Sequence, residues 1–224
     1  YWDIETYSSR KGEFPNPNNQ QDFIFMISVI TSYKNDTNRY VIVKGSVTEV
    51  LIQQRFKEKY GFSAPFTIIR TKSEKELIEQ FFMLWKTFRP DKIVHYNGDM
   101  FDLPYLLQRL KFNDISIPPI SKIQTYEPSR STEKITTPFG IVTTQTINLP
   151  GIEKIDLLHY YRKFYPNLKN HRLDTVSSTL IGSGKTNLSI EDMMNAISTD
   201  DPEKQVEVVE YSYTDSLRLE QLWN

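Results

Sequence analysis

The sequence predicts a mixed α/β domain with a central sheet covered by helices. Three observations carry that prediction. The apolar run FIFMISVITSY (23–33) reads as a buried strand, with RYVIVKG (39–45) as its hairpin partner. A helical stripe of Leu77, Phe81, Leu84, Trp85 and Phe88 follows Ser73, with Glu76 three residues on as a capping box. Two further stretches, DKIVHYNGD (91–99) before LPYLLQRL (103–110), and IEKIDLLHYYRKFY (152–165), read as strands that run into helices.

In chain order, the opening YWDIETY is extended, because its aromatic and β-branched residues favour a strand. Residues i and i+2 of a strand share a face, so Asp3 and Glu5 project together, with Trp2, Ile4 and Thr6 on the other side. GEFPNPNNQQ (12–21) is a loop punctuated by Pro and Asn. Pro90 ends the helix begun at Ser73, and Pro104 stands in the first turn of the next one. Residues 120–150, rich in Thr, Ser and Ile with PFG (138–140) at a turn, read as a β-hairpin inserted between helical units. Short helices follow near 173–180 and 189–197, and Asp201 with Pro202 caps a last helix reaching about Leu222. The expected order is three strands, helix, strand, helix, insertion, then mostly helices.

With 224 residues and 38% hydrophobic content, the chain is in the range of a single domain with one sizeable core. Its 27 basic and 28 acidic residues nearly cancel, so there is no global basic field to drive non-specific nucleic-acid binding. Any affinity for DNA must come from local placement or from other parts of a longer protein. There is no cysteine, which excludes disulfides and thiolate metal sites. No apolar run reaches membrane-spanning length and no signal peptide opens the chain. The first residue is Tyr with a strand already under way, as expected of a segment cut from a longer polypeptide.

Three acidic sites stand out. Asp3 and Glu5 form the first; alone, they describe a solvated strand face. HYNGDMFDLPYL (95–106) is the second, with Asp99 and Asp102 at the C-terminal edge of a strand, where α/β folds place their chemistry. Its bland explanation makes Asp102 a helix cap and Asp99 a turn residue. Tyr211 and Asp215 are the third, spaced i and i+4 on one helical face. Together they bring carboxylates from separate elements, the oxygen ligands that hard divalent cations prefer, and paired cations suit phosphodiester cleavage.

The pattern resembles the 3′→5′ proofreading exonuclease domain of family B DNA polymerases, of the DEDDy type within the ribonuclease H-like fold. The family's first motif is read at Asp3-Ile4-Glu5-Thr6, its second at Asn97, Phe101, Asp102, Pro104 and Tyr105, and its third at Tyr211 and Asp215. The connecting segment is read at 155–185, so the resemblance covers essentially the whole chain, 1–224, as one exonuclease domain. It implies a ribonuclease H-like mixed sheet flanked by helices, and hydrolysis of the 3′-terminal phosphodiester of single-stranded or mismatched DNA. It further implies two Mg²⁺ ions, replaceable by Mn²⁺. Asp3 would bridge them, Glu5 and Asp215 would hold the ion that activates water, and Asp102 would steady the second. Tyr211 would orient the attacking water, and Thr6, Asn97 and Phe101 would contact the last nucleotides.

By the same resemblance the partners are a single-stranded 3′ end or primer–template DNA and the polymerase domains of the same full-length chain; no processivity factor is specified. The location is intracellular, in a nucleus or at a viral replication site, and not secreted. The inserted hairpin would help move the primer end between polymerase and exonuclease sites. Alternatives are a stand-alone DEDDy exonuclease, or an inactive DNA-binding or structural domain of a polymerase. Asp99 is an extra acid inside the second motif, and the family register favours Asp102. GSGKT (182–186) is not a phosphate-binding loop, because Thr179 stands where the first Gly is needed. His95, His159 and His171 lack zinc-ligand spacing and read as scaffold or surface residues.

Overall fold

The computed structural model describes all residues except 11, 62–65, 124, 138–139, 185–187 and 199–200. Strands β1 (Trp2–Tyr7), β2 (Phe23–Tyr33), β3 (Asp36–Lys44) and β4 (Phe66–Thr71) form one sheet in that spatial order. The first two pairings are antiparallel and β3–β4 is parallel. A parallel neighbour requires a crossover, and helix α1 (Glu49–Tyr60) supplies it. Helix α2 (Glu74–Phe88) then leads to β5 (Lys92–His95), which lies beside β1, and helix α3 (Asp102–Phe112) follows.

Strands β6 (Ser129–Thr137) and β7 (Gly140–Asn148) make the inserted antiparallel hairpin. The predicted turn at Pro138 and Phe139 lies outside the described residues. Strand β8 (Glu153–Asp156) pairs in parallel with β5 and enters helix α4 (Leu157–Phe164). Helices α5 (Leu173–Leu180), α6 (Ile190–Ser198) and α7 (Pro202–Trp223) complete the chain. The mixed sheet with helices on both faces is the α/β class expected.

Two elements depart from the predicted order: α1 and β4 intervene between β3 and α2. Only Ile52 and Phe56 of α1 are buried, so its polar sequence carries little helical stripe to read. Gly61 does mark its end, in the left-handed conformation at φ 59°. The capping box at α2 is also half as expected. Ser73 Oγ accepts from Glu76 N, but the Glu76 carboxylate accepts from Lys72 N rather than Ser73 N.

Alternation along the strands divides the interior. Trp2, Ile4, Ile27, Val29 and Ile42 pack with Leu77, Phe81 and Trp85 of α2 and Leu103, Leu106 and Leu110 of α3. The opposite face carries Met26, Ile30, Val41 and Val43 against α1, α6 and α7. Asp3 and Glu5 belong to this second face, since they pair in register with Ser28 and Met26.

Ser28 is the contact that seats α7. Its hydroxyl donates to Ser212 O at 2.8 Å and meets Ser216 Oγ at 2.6 Å, and all three serines are fully buried. Small side chains let the helix approach the sheet closely, and hydrogen bonds satisfy them there. Ser28→Val adds bulk to this seam and strands buried polar groups, at an expected cost of about 2–4 kcal/mol. Thermal melting of the variant checks this, with a clearly lowered midpoint as the expected result.

Candidate active site

The three sequence motifs converge where β1, the β5–α3 turn and α7 meet. One carboxylate oxygen from each of Asp3, Glu5 and Asp215 lies within 4.8 Å of the other two. Strand alternation places the first two, and the Ser28 seam brings in the third from the far end of the chain. Asp102 is not within that sphere, yet its charge acts on both Asp3 and Glu5. It is the first residue of α3; the cap position belongs to Phe101, and no side chain caps this helix end. The capping explanation for Asp102 therefore fails.

Burial holds the Asp3 carboxyl well above the usual carboxylate range, and repulsion from Asp102, Glu5 and Asp215 adds to it. Asp3 keeps partial contact with solvent, which tempers the burial contribution without changing its direction. Glu5 is raised for the same reasons, burial first, then Asp215 and Asp102. Burial pushes Asp102 up to about 7, opposed by His95 and the backbone N–H of Ile4. Asp215 reaches about 6, with burial against the pull of Arg218 and a hydrogen bond from Tyr211. Tyr211 is itself raised, by burial and then by Asp215.

Glu5 Oε1 is buried without a hydrogen-bond partner. An orphaned carboxylate oxygen among three other acids is costly unless a cation shares the space. The donor set is all oxygen, the preference of Mg²⁺ and Mn²⁺ and not of zinc or copper. The residues present fit such ions.

The second motif splits as its two acids demand. Asp99 turns away from the cluster to His95, whose Nε2 stands 3.2 Å from its Oδ1 at an angle poor for a hydrogen bond. Although burial opposes it, His95 holds the Asp99 carboxyl below its usual value. His95, Asp99 and Asp156 are spaced as metal ligands could be, which the reading of His95 as scaffold did not foresee. Asp156, however, already accepts backbone N–H groups from Asn97 at 2.8 Å, Leu158 at 2.9 Å and Asp99 at 3.2 Å. Three donors aimed at one carboxylate describe a backbone anchor that fixes the 97–99 turn. Gly98 is required in it, because a Cβ would fall 2.5 Å from the His95 ring.

Of the residues expected at the DNA, Asn97 holds a left-handed φ of 59° and Phe101 packs on Tyr105 with ring centroids 5.6 Å apart. Thr6 follows a register shift after Glu5, so the simple alternation that put it opposite the acids breaks there. Phe101 also lines a groove of about 510 Å³ walled by Phe14, Tyr105, Gln108 and Thr143–Gln145 of the hairpin. Phe14 was not singled out from the sequence. It is 87% exposed, on a loop tied down by Asp22, which accepts from Ser9, Asn16 and Asn19. An isolated aromatic in a polar loop was the available signal.

The family profile described as DNA polymerase family B, exonuclease domain, matches residues 1–176. The chain belongs to that family. Similar proteins include one named DNA polymerase beta from African swine fever virus, 25% identical over 99% of this chain and 18% of its own length. A DNA polymerase of Orgyia pseudotsugata multicapsid polyhedrosis virus is 27% identical over 100% of this chain and 21% of its own. A catalytic subunit of DNA polymerase epsilon from Dictyostelium discoideum is 34% identical over 52% of this chain and 5% of its own. The chain thus spans only a small part of the relatives it matches. No described helix of this family B exonuclease domain is long and apolar enough to cross a membrane.

Proposed function

We propose that this exonuclease domain removes nucleotides from the 3′ end of single-stranded or mismatched DNA by metal-dependent hydrolysis, as the proofreading part of a DNA polymerase. The observation that carries the reading is the meeting of Asp3, Glu5 and Asp215 within 4.8 Å, with the unpartnered Glu5 Oε1 among them. Asp3, Glu5 and Asp215 would hold one divalent ion between them, and Asp102, whose charge acts on Asp3, would serve a second. A bound Mg²⁺ or Mn²⁺ pair supplies an activated water and charge neutralisation at the leaving oxygen.

Tyr211, one helical turn from Asp215 and acting on its carboxyl, sits where it would orient the attacking water. Its raised pKa keeps the hydroxyl protonated, a donor rather than a base. Thr6, Asn97 and Phe101 would receive the terminal nucleotides, and the aromatic groove suits bases stacked without regard to sequence. The remaining polymerase domains and primer–template DNA are the partners this reading requires.

The test sets the two acids of the second motif against each other on single-stranded DNA with Mg²⁺, with EDTA as the blank. Asp102→Asn is expected to lose most 3′-end cleavage, and Asp99→Asn to keep at least about half, since it leaves the acid cluster untouched. Equal activity of wild type in EDTA, or the reverse ranking of the two variants, would refute the assignment.

A further inference from the structure

Arg218 is a buried cation in contact with the acid cluster, with 2% of its side chain exposed. Its Nη1 donates to Asp215 Oδ1 at 2.9 Å and to Asp174 Oδ1 at 3.0 Å. Its Nε donates to Ser183 Oγ at 3.2 Å, and its Nη2 to the Gly184 carbonyl. Gly182, at φ 66°, turns the chain so that these acceptors face inward. Ser177 braces the turn, accepting Ser183 N at its carbonyl at 3.3 Å. Ser183 and Gly184, with Asp174, are thus oxygen acceptors gathered around a guanidinium.

We infer that Arg218 is a positioning residue for the metal site, fixing the Asp215 carboxylate against Asp3 and Glu5 by tying it to the 174–184 segment. This rests on the exonuclease reading above. One oxygen of Asp215 is pinned to Nη1, so the orientation of its other oxygen is set from outside the cluster. The guanidinium also stands between Asp174 and Asp215, which otherwise face each other as like charges. A planar fork with donors in fixed directions can serve four acceptors at once; a lysine ammonium is a point charge on a flexible stem and cannot. Groups that orient a ligand from behind commonly set metal affinity by about 10–100-fold.

Arg218→Lys in the full-length protein is the test, because it keeps the charge and removes the fork. Mn²⁺ binding without DNA is followed by its paramagnetic resonance, beside metal-free melting and the Mn²⁺ dependence of single-strand cleavage. The variant is expected to bind Mn²⁺ about tenfold more weakly, with the cleavage rate recovering to within about twofold at saturating metal. Val176→Ala, a fully buried residue of the same neighbourhood, is the control: its melting temperature falls and its Mn²⁺ affinity holds. Should Arg218→Lys fail to fold, Ser183→Ala replaces it, with an expected weakening of about two- to threefold. An Arg218→Lys or Ser183→Ala protein that binds Mn²⁺ as tightly as wild type would overturn the positioning role alone. A wild type that binds no Mn²⁺ would overturn the exonuclease reading and this inference with it.

Discussion

Asp3→Ala combined with Glu5→Ala is expected to abolish 3′-end cleavage while the metal-free protein melts at the same temperature or higher. The loss follows from removing two of the three carboxylates whose oxygens share one small space. Each metal contact contributes several kcal/mol to stabilising the reacting charge, so losing both should lower the rate about a thousandfold or more. The unharmed stability follows from the same geometry. Both groups are destabilised as carboxylates by burial and mutual repulsion, and Glu5 Oε1 has no partner to lose. Active-site residues whose removal spares the fold are a sign of strain kept for chemistry. Retained cleavage, or a large fall in melting temperature, would show that the two acids serve the structure instead.

Metal-free stability should fall as pH rises from 5 to 8, and Mg²⁺ should oppose that fall. Asp3 and Glu5 are raised well above their ordinary values, Asp102 to about 7 and Asp215 to about 6. The folded chain therefore keeps protons that the unfolded chain releases near pH 4. Stability from these groups is fully present below that point and is lost as pH rises through the folded values. Each tenfold difference in proton affinity between folded and unfolded chain corresponds to about 1.4 kcal/mol. Asp22 and Asp99, held below the ordinary value, act in the opposite sense at pH values under that window, and the Tyr1 amine, lowered by burial to about 5, opposes the fall within it.

A divalent cation held as proposed would bind only the deprotonated native cluster, so its stabilisation should grow over the same pH range. Melting curves at pH 5, 6.5 and 8, with EDTA and with millimolar Mg²⁺, check both halves of the prediction. A pH-independent EDTA curve would contradict it.

The acid motifs were legible because their spacing is local. Asp3 and Glu5 share a strand face through the two-residue period, and Tyr211 and Asp215 share a helix face through the four-residue step. The inserted hairpin and the closing helix were legible for the same reason, from Thr- and Ile-rich alternation and the Asp201–Pro202 start. What was not legible depends on pairs remote in the chain. Helix α1 and β4 are needed by the parallel neighbour of β3, while α1 buries too few residues to announce itself. The Ser28–Ser216 contact joins positions 188 residues apart, and a serine in an apolar strand looks like an interruption. Arg218 reads as an ordinary helical cation until Asp174, Ser183 and Gly184 fold around it. Phe14 gains meaning only when the hairpin closes a groove beside it.

The seam between β2 and α7 also bears on when the site comes into being. Asp3 and Glu5 leave the ribosome about two hundred residues before Asp215 does. Contacts of such long separation form late, after the local hairpins and helices. The β1–β2 hairpin can therefore fold early with its acids side by side, yet the acid cluster is incomplete until α7 docks on Ser28. An unfinished chain that lacks α7 lacks Asp215, one of the three carboxylates that meet at the cluster. On the proposed reading, cleavage is thus withheld until the whole domain has been made and packed.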